Sequence, residues 1–347
     1  MQKMVELTGA IHVHSRYSDG SDGMEKIIAA AADAKLDFVV VSDHNTLKAK
    51  KLGWEGWHDS VLVVVGCEIS PPRAGHCVVL NVDEFDRMKK MTPPQYLEKV
   101  RQQNGIAFVA HPKGSSNRDF ALTLAGWSHW DNDNYAGLEI WSYMHDWIEG
   151  CNLRNLRDYL RRPEEHITGP PPQVLEMWDH LAAKRRISGI GALDNHAANV
   201  PFRKLPLKLL KIFPHEFCFR TVRTHVIMPQ PTHRNGDVQT FIDAIGRGQC
   251  FVDYLPLGDG TGFSFTAECG DEVYQMGDEM ASGKPAVFKA VSPVPAQLKL
   301  LFDGQPVAAA EGKLIEYPSE SCPRGVYRVE ARVDGRPWLF TNHIYVR

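Results

Sequence analysis

A chain of 347 residues, 43% of them hydrophobic, can bury a substantial core and form one large domain plus a smaller one. Net charge is −3 with both signs interspersed, which excludes the basic stripe that drives binding to extended nucleic acid. No apolar stretch reaches the ~20 residues of a membrane span, and the N-terminus enters an apolar run without a charged leader, so a cytoplasmic protein with no membrane partner is expected.

In chain order, the apolar runs 9–13, 36–41, 61–65, 106–110, 135–140 and 187–193 are short, β-branched-rich and bounded by Gly, Asp or Asn, as buried strands are. Segments 24–34, 94–104 and 172–185 read as helices. Strand then helix, repeated, implies βα units around a barrel or an open parallel sheet, with the C-terminal strand ends as the active face. The stretch 163–172, ending Gly169-Pro170-Pro171-Pro172, cannot continue a helix and is expected as an exposed excursion between two helices. Beyond Leu255 the rhythm gives way to short alternating segments, 286–290, 297–302, 325–333 and 338–346, with turn signals at Asp303-Gly304 and Asp334-Gly335. The chain therefore divides into 1–254 and a small antiparallel, sandwich-like β domain over 255–347. Seven cysteines, widely spaced and without a CxxC, read as reduced packing residues.

The chemistry lies at the strand ends. His12, His14, Asp19, His44, Glu68, His76, His111, Asp194 and His196 each fall at or beside the end of an apolar run. Imidazoles and carboxylates in that mixture are the donors of a multinuclear site for divalent Mn, Fe or Zn. His12 and His14, two apart on a strand, should share a face at a backbone spacing of roughly 6.6 Å. Asp43 and Asn195 adjoin ligands and read equally as second-layer groups or as turn and cap residues. Arg16, Lys113 and Arg118 are expected on loops bordering the mouth, where cations suit a phosphate ester, although such residues are often simply solvated. Tyr143 and His145, just after Glu139 on one strand-end segment, are candidates for leaving-group protonation. Glu139 itself reads as a support behind the ligands. Trp127, Trp130, Trp141 and Trp147 read mostly as core, with an aromatic wall for an organic leaving group as the alternative. His58, His129, His166, His180, His215, His225, His233 and His343 show no partner pattern.

The ordered motifs His12-x-His14, Asp19-Gly20, Asp43-His44, Glu68, His76, His111-Pro112 and Asp194-x-His196 resemble the polymerase and histidinol phosphatase (PHP) domain over residues 7–254. The resemblance implies an α/β fold, a distorted (β/α)7 barrel, here followed by the C-terminal β domain, and a centre of two or three metals. One metal would be held by His12, His14, Glu68 and Asp194, a second by Glu68, His76 and His111, and a third by Asp19, His44 and His196, with Glu68 bridging. It further implies phosphoester hydrolysis of a small-molecule substrate by a metal-bridging hydroxide, with Glu68, Asp194, Lys113 and Arg16 acting in catalysis. Helix 237–247, the run 248–254 and the ending Asn342-His343-Ile344-Tyr345-Val346 resemble the branch that includes carbaryl hydrolase, which implies amide, carbamate or carboxylic ester hydrolysis as the alternative. A non-enzymatic metal-binding module of the family is the third reading.

Overall fold

The computed structural model describes residues 3–84, 88–120, 122–201, 209–234 and 236–347. The ring around the site is built from β1 (Met4–Val13), β2 (Phe38–Val41), β3 (Val61–Val65), β4 (Cys67–Ile69), β5 (Cys77–Leu80), β6 (Ile106–Val109), β7 (Gly137–Ser142) and β8 (Ser188–Ala192). It continues into β9 (Val222–Pro229) and β10 (Cys250–Tyr254). These elements fall in two hydrogen-bonded sheets, one in the order β8-β7-β6-β5-β4 and the other carrying β10-β9-β1-β2-β3. Isolated bridges, Val13 with Asn195 and His44 with Glu68, join the two sheets at the mouth. Successive residues of each strand face opposite ways. Leu7, Ile11, Phe38, Val40, Leu62, Val64, Phe108 and Ile190 form one core inside the ring, while Val39, Val41, Val63, Val65, Ala107 and Val109 pack outward into another.

The outer core is completed by α1 (Met24–Asp33), α2 (Pro93–Gln102), α3 (Tyr143–Gly150), α4 (Leu156–Arg161) and α5 (Pro172–Ala182). Helix α6 (Gly236–Arg247) inserts Phe241, Ile242, Ala244 and Ile245 into the inner core. The α2 start follows from its sequence: Thr92 and Gln95 form a reciprocal capping box ahead of Pro93.

The regular parallel repeat expected from sequence is realised only in part. Pairs β1·β2, β2·β3, β6·β7 and β7·β8 are parallel, but β4·β5, β5·β6 and β1·β9 are antiparallel. The connection 70–76 is too short for a crossover helix and forces β5 back as a hairpin. Tyr143 and His145, expected on a strand-end segment, instead sit in the first turn of α3, which begins directly where β7 stops.

The C-terminal region contains β11 (Ser264–Cys269), β12 (Ala286–Phe302), β13 (Gln305–Ser319), β14 (Gly325–Val333) and β15 (Arg336–Thr341) around its own core. Segments 286–290 and 297–302 are two ends of the single strand β12, whose register shifts between Val291 and Ala296. Asp303-Gly304 and Asp334-Gly335 turn with positive φ at both positions, as tight hairpins require. Strand β15 pairs with β10, so the C-terminal strands extend the large sheet across the Leu255 boundary. The excursion 163–172 is partly covered: Pro170 is buried, and Arg336 donates to the Glu164 carbonyl from the β14–β15 hairpin. All seven cysteines are unpaired and buried. Among the described residues, no helix is long and apolar enough to cross a membrane.

Candidate metal centre

Strand ends deliver the nine residues, with irregular backbone at three of them. His12 lies at φ 67°, His111 at φ 30° and Asp194 at φ 52°, left-handed conformations that persist only where the surroundings enforce them. At His12 the β1·β2 register slips between Ala10 and Val13. The strict alternation expected for His12 and His14 is therefore broken by a bulge, and it is the bulged backbone that brings their rings to 5.0 Å. His14 N donates to Asn195 O at 2.9 Å and Asn195 N donates to His12 O at 3.2 Å, which fixes this strand end against the one bearing Asp194.

Asp43 anchors the loop that carries Asp19. It accepts bonds from Ser15 N (2.8 Å), Ser15 Oγ (2.7 Å) and Ser18 Oγ (2.7 Å). Gly20 is needed in that loop, since a Cβ there would meet the His14 carbonyl oxygen at 2.3 Å. Asn195 accepts from Ala197 N and its amide bonds His215 Nδ1 at 3.0 Å, so it shapes the turn between Asp194 and His196.

The donors gather in groups. His12 Nε2 and His14 Nε2 lie 3.3 and 3.2 Å from Asp194 Oδ1, and 3.4 and 3.6 Å from Glu68 Oε2. A tetrahedral site with bonds of about 2.0–2.1 Å has donor–donor edges of roughly 3.3–3.4 Å. The second carboxylate oxygen of Glu68 faces His76 Nδ1 at 2.8 Å and His111 Nε2 at 3.1 Å. Asp19 faces His44 Nε2 at 3.5 Å, His196 Nε2 at 3.4 Å and His14 Nδ1 at 3.7 Å. A further group, His111, His145 and Asp194, extends the cluster.

The electrostatics of this cluster fit bound cations. Burial opposes the charge of Glu68 and Asp194, yet the facing imidazoles, His12 foremost, hold both well below the usual carboxylate range. Burial likewise opposes the charge on His12, but Glu139, Asp194 and Glu68 raise its pKa. His14 falls to about 3 through burial and its neighbour His196, whereas His196, against burial, is raised to about 9 by Asp19 and Asp194. His12 Nε2, His14 Nε2 and Asp194 Oδ1 are buried without a hydrogen-bond partner among the described residues. Such converging, unpartnered atoms cost free energy unless another group satisfies them, and a divalent cation does so.

Behind the donors stand residues that orient them. Glu139 accepts from His12 Nδ1 at 2.5 Å and from His111 N at 2.7 Å, so one buried carboxylate aims two of the nine. His44 Nδ1 lies 2.7 Å from Ser70 Oγ, a contact sequence reading did not foresee. His145 Nε2 lies 2.9 Å from Asp194 Oδ2, and its Nδ1 lies 2.6 Å from Ser115 Oγ. A carboxylate only accepts, so the proton sits on Nε2 and Ser115 donates to Nδ1.

The proposed cations are less central. Lys113 is half-exposed and paired with Glu149 on the rim. Arg16 lies against Gly23 and Glu25 at the start of α1, and Arg118 is exposed; neither lines the cavity over the cluster. That cavity is walled instead by Leu122, Leu124, Met144 and Ile148. Trp127, Trp141 and Trp147 are buried in the outer core, with Trp130 packed against it. Among the described residues, four of the histidines without a sequence pattern have carboxylate partners: His166 with Asp158, His215 with Asp22, His225 with Glu6 and Asp253, and His343 with Asp179.

The family model of the PHP domain matches residues 10–114, a span that holds seven of the nine residues, from His12 to His111. An uncharacterized protein of Methanocaldococcus jannaschii, MJ1587, is 30% identical over 136 residues, covering 33% of this chain and 77% of that protein. The chain belongs to the PHP domain family. Asp194 and His196, outside the PHP match, are carried to the same cluster by the strand pairing described above. Among solved structures, a two-domain protein from Bacteroides vulgatus, described as containing a predicted PHP-like metal-dependent phosphoesterase, aligns over 98% of this chain and 95% of its own, with TM-score 0.49 and 13% identity. PsfC from Pseudomonas syringae aligns over 71% of this chain and 90% of its own, with TM-score 0.39 and 15% identity.

Proposed function

We propose that this PHP protein is a metal-dependent hydrolase, acting as a phosphoesterase on a small substrate with residues 1–254 as a distorted (β/α)7 barrel and 255–347 as an attached β domain. The observation that carries this reading is the convergence of unpartnered His12 Nε2, His14 Nε2 and Asp194 Oδ1 on Glu68, at separations that suit a divalent ion. Glu68, presenting one oxygen to His12 and His14 and the other to His76 and His111, would be shared between two ions, and Asp19, His44 and His196 would hold a third. Mn, Fe or Zn held there would lower the pKa of bound water and offset charge on a phosphoryl or carbonyl oxygen. Glu139 keeps His12 Nε2 turned inward by accepting the proton of Nδ1. His145 keeps Asp194 Oδ2 occupied, leaving Oδ1 for the ion. Leu122, Leu124, Met144 and Ile148 exclude water from one side of the mouth. Seven unpaired cysteines favour a reducing compartment such as the cytoplasm.

The same apolar wall, with no Lys or Arg among the described residues lining that cavity, favours a second reading, hydrolysis of an uncharged ester, carbamate or amide. Turnover of the Mn-loaded protein on p-nitrophenyl phosphate, bis-p-nitrophenyl phosphate and p-nitrophenyl acetate, each with a chelator control, separates the two. Chelator-sensitive release from either phosphate supports the phosphoesterase. Release from the acetate alone transfers the assignment to the second reading, and no chelator-sensitive release from any of the three rejects both.

A further inference from the structure

Next to the metal cluster lies a second cavity of 540 Å³, a size that accommodates a small organic ligand. Its lining includes His111, Glu139 and His145, which also belong to or support the cluster. Arg332 and Pro337, from the β14–β15 hairpin of the C-terminal region, line it too. The tip of the hairpin is held there by a close fit: Gly169 adopts φ +104°, and a Cβ on it would stand 2.7 Å from Pro337.

The lining is chemically specific. Its flat apolar surfaces are the rings of Pro112, Pro170 and Pro171 and the Tyr159 ring, which stacks on His166 at 3.8 Å with the planes 8° apart. Ser142 is only 7% exposed, does not cap α3, and has no hydrogen-bond partner for its hydroxyl among the described residues, although it borders this space. Lys113 is neutralised by Glu149, whereas Arg332 bonds only the Gly335 carbonyl, at 3.0 Å, and has no carboxylate partner among the described residues. The cavity thus offers apolar rings, an unsatisfied hydroxyl and the Arg332 guanidinium, while its carboxylates are engaged elsewhere: Glu139 by His12 and His111, Asp146 by Trp141 and Thr168, and Glu149 by Lys113.

We propose that this cavity binds the organic part of the substrate, a flat apolar group bearing a carboxylate, with the anion on Arg332, so that the C-terminal hairpin completes the substrate site. The assignment rests on reading the adjoining cluster as the hydrolytic centre. Its geometry follows: a group seated among the prolines and Tyr159 lies beside His111 and His145, which the cavity shares with the cluster.

The probe is 4-biphenylacetate, titrated calorimetrically into the full-length protein in both metal-free and Mn-loaded form, with uncharged 2-(4-biphenylyl)ethanol alongside. Saturable one-to-one binding of the carboxylate is expected. Arg332→Gln should weaken it about tenfold while leaving the alcohol unaffected. Failure of 4-biphenylacetate to saturate, or equal affinity in wild type and Arg332→Gln, overturns the proposal. Because binding is read without turnover, a protein that binds the probe in this pattern but hydrolyses no ester supports the pocket and rejects only the hydrolytic reading.

Discussion

Glu68 meets five imidazoles, those of His12, His14, His44, His76 and His111, within 3.6 Å. An amide in its place keeps the shape and loses the charge that balances two cations, so Glu68→Gln should lower kcat by more than about a hundredfold with an unchanged circular dichroism spectrum. Wild-type turnover in that variant would refute the bridging role. Glu139→Gln should act differently, because the Glu139 carboxylate bonds the His12 imidazole and the His111 backbone amide behind the donors. Its expected effect is a loss of roughly 10- to 100-fold in metal affinity, read by competition with a chelating dye, with activity recovering at saturating metal. The gathering of the nine residues was legible in the sequence because each lies in, at or beside the end of an apolar run, where an imidazole or carboxylate needs a reason to be. Glu139 was only half legible: it sits inside the buried strand β7, and its partner His12 is 127 positions away. The surroundings of the cations were not legible, since Lys113 pairs with Glu149 on α3 and Arg16 lies against the start of α1.

The element that most depends on one small residue is the loop between β1 and α1. Gly20 passes so close to His14 that a methyl group would overlap its carbonyl. Gly20→Ala should displace Asp19 and weaken the group formed by Asp19, His44 and His196, leaving the other donors in place. The measurable outcome is the loss of about one metal equivalent per chain by elemental analysis, with a modest fall in melting temperature. Full metal content in that variant would count against the third site. Strands β2 and β3 were readable from composition, since their apolar, β-branched-rich runs mark strands buried on both faces, whereas of β1 only the part 9–13 was read. The antiparallel entry of β5 was not, because it follows from the length of the connection 70–76 and from pairing partners far away in sequence. Nor was the hidden start of α3, where a strand passes into a helix without an intervening loop.

At the scale of the whole molecule, the two regions are joined by a buried charged cluster as well as by backbone pairing. Arg328 on β14 grips Asp179 on α5 with bonds of 2.6 and 2.7 Å, and His343 adds a third at 2.8 Å. Asp179→Ala leaves buried Arg328 with Glu330 as its remaining carboxylate partner among the described residues, and should cost up to about 3–5 kcal/mol in denaturant unfolding. Burial opposes the charge of Asp179, but Arg328 and His343 hold its pKa well below the ordinary 3.8, while burial depresses His343 below 6.5 despite Asp179. Each group binds fewer protons folded than unfolded, so both withdraw stability as pH falls: His343 below its ordinary 6.5 and Asp179 below 3.8. Melting curves between about pH 7 and about pH 5 should therefore decline less steeply in His343→Gln than in wild type. Identical slopes would show that this joint does not sense protons.

The pairing of β15 with β10 also changes what the boundary at Leu255 means. A chain severed there would not release two tidy modules: β10 would be left with a naked row of amide and carbonyl groups, a template for any passing strand. The C-terminal strands therefore serve as a selvedge, the finished margin that keeps the rest of the fabric from catching on its neighbours.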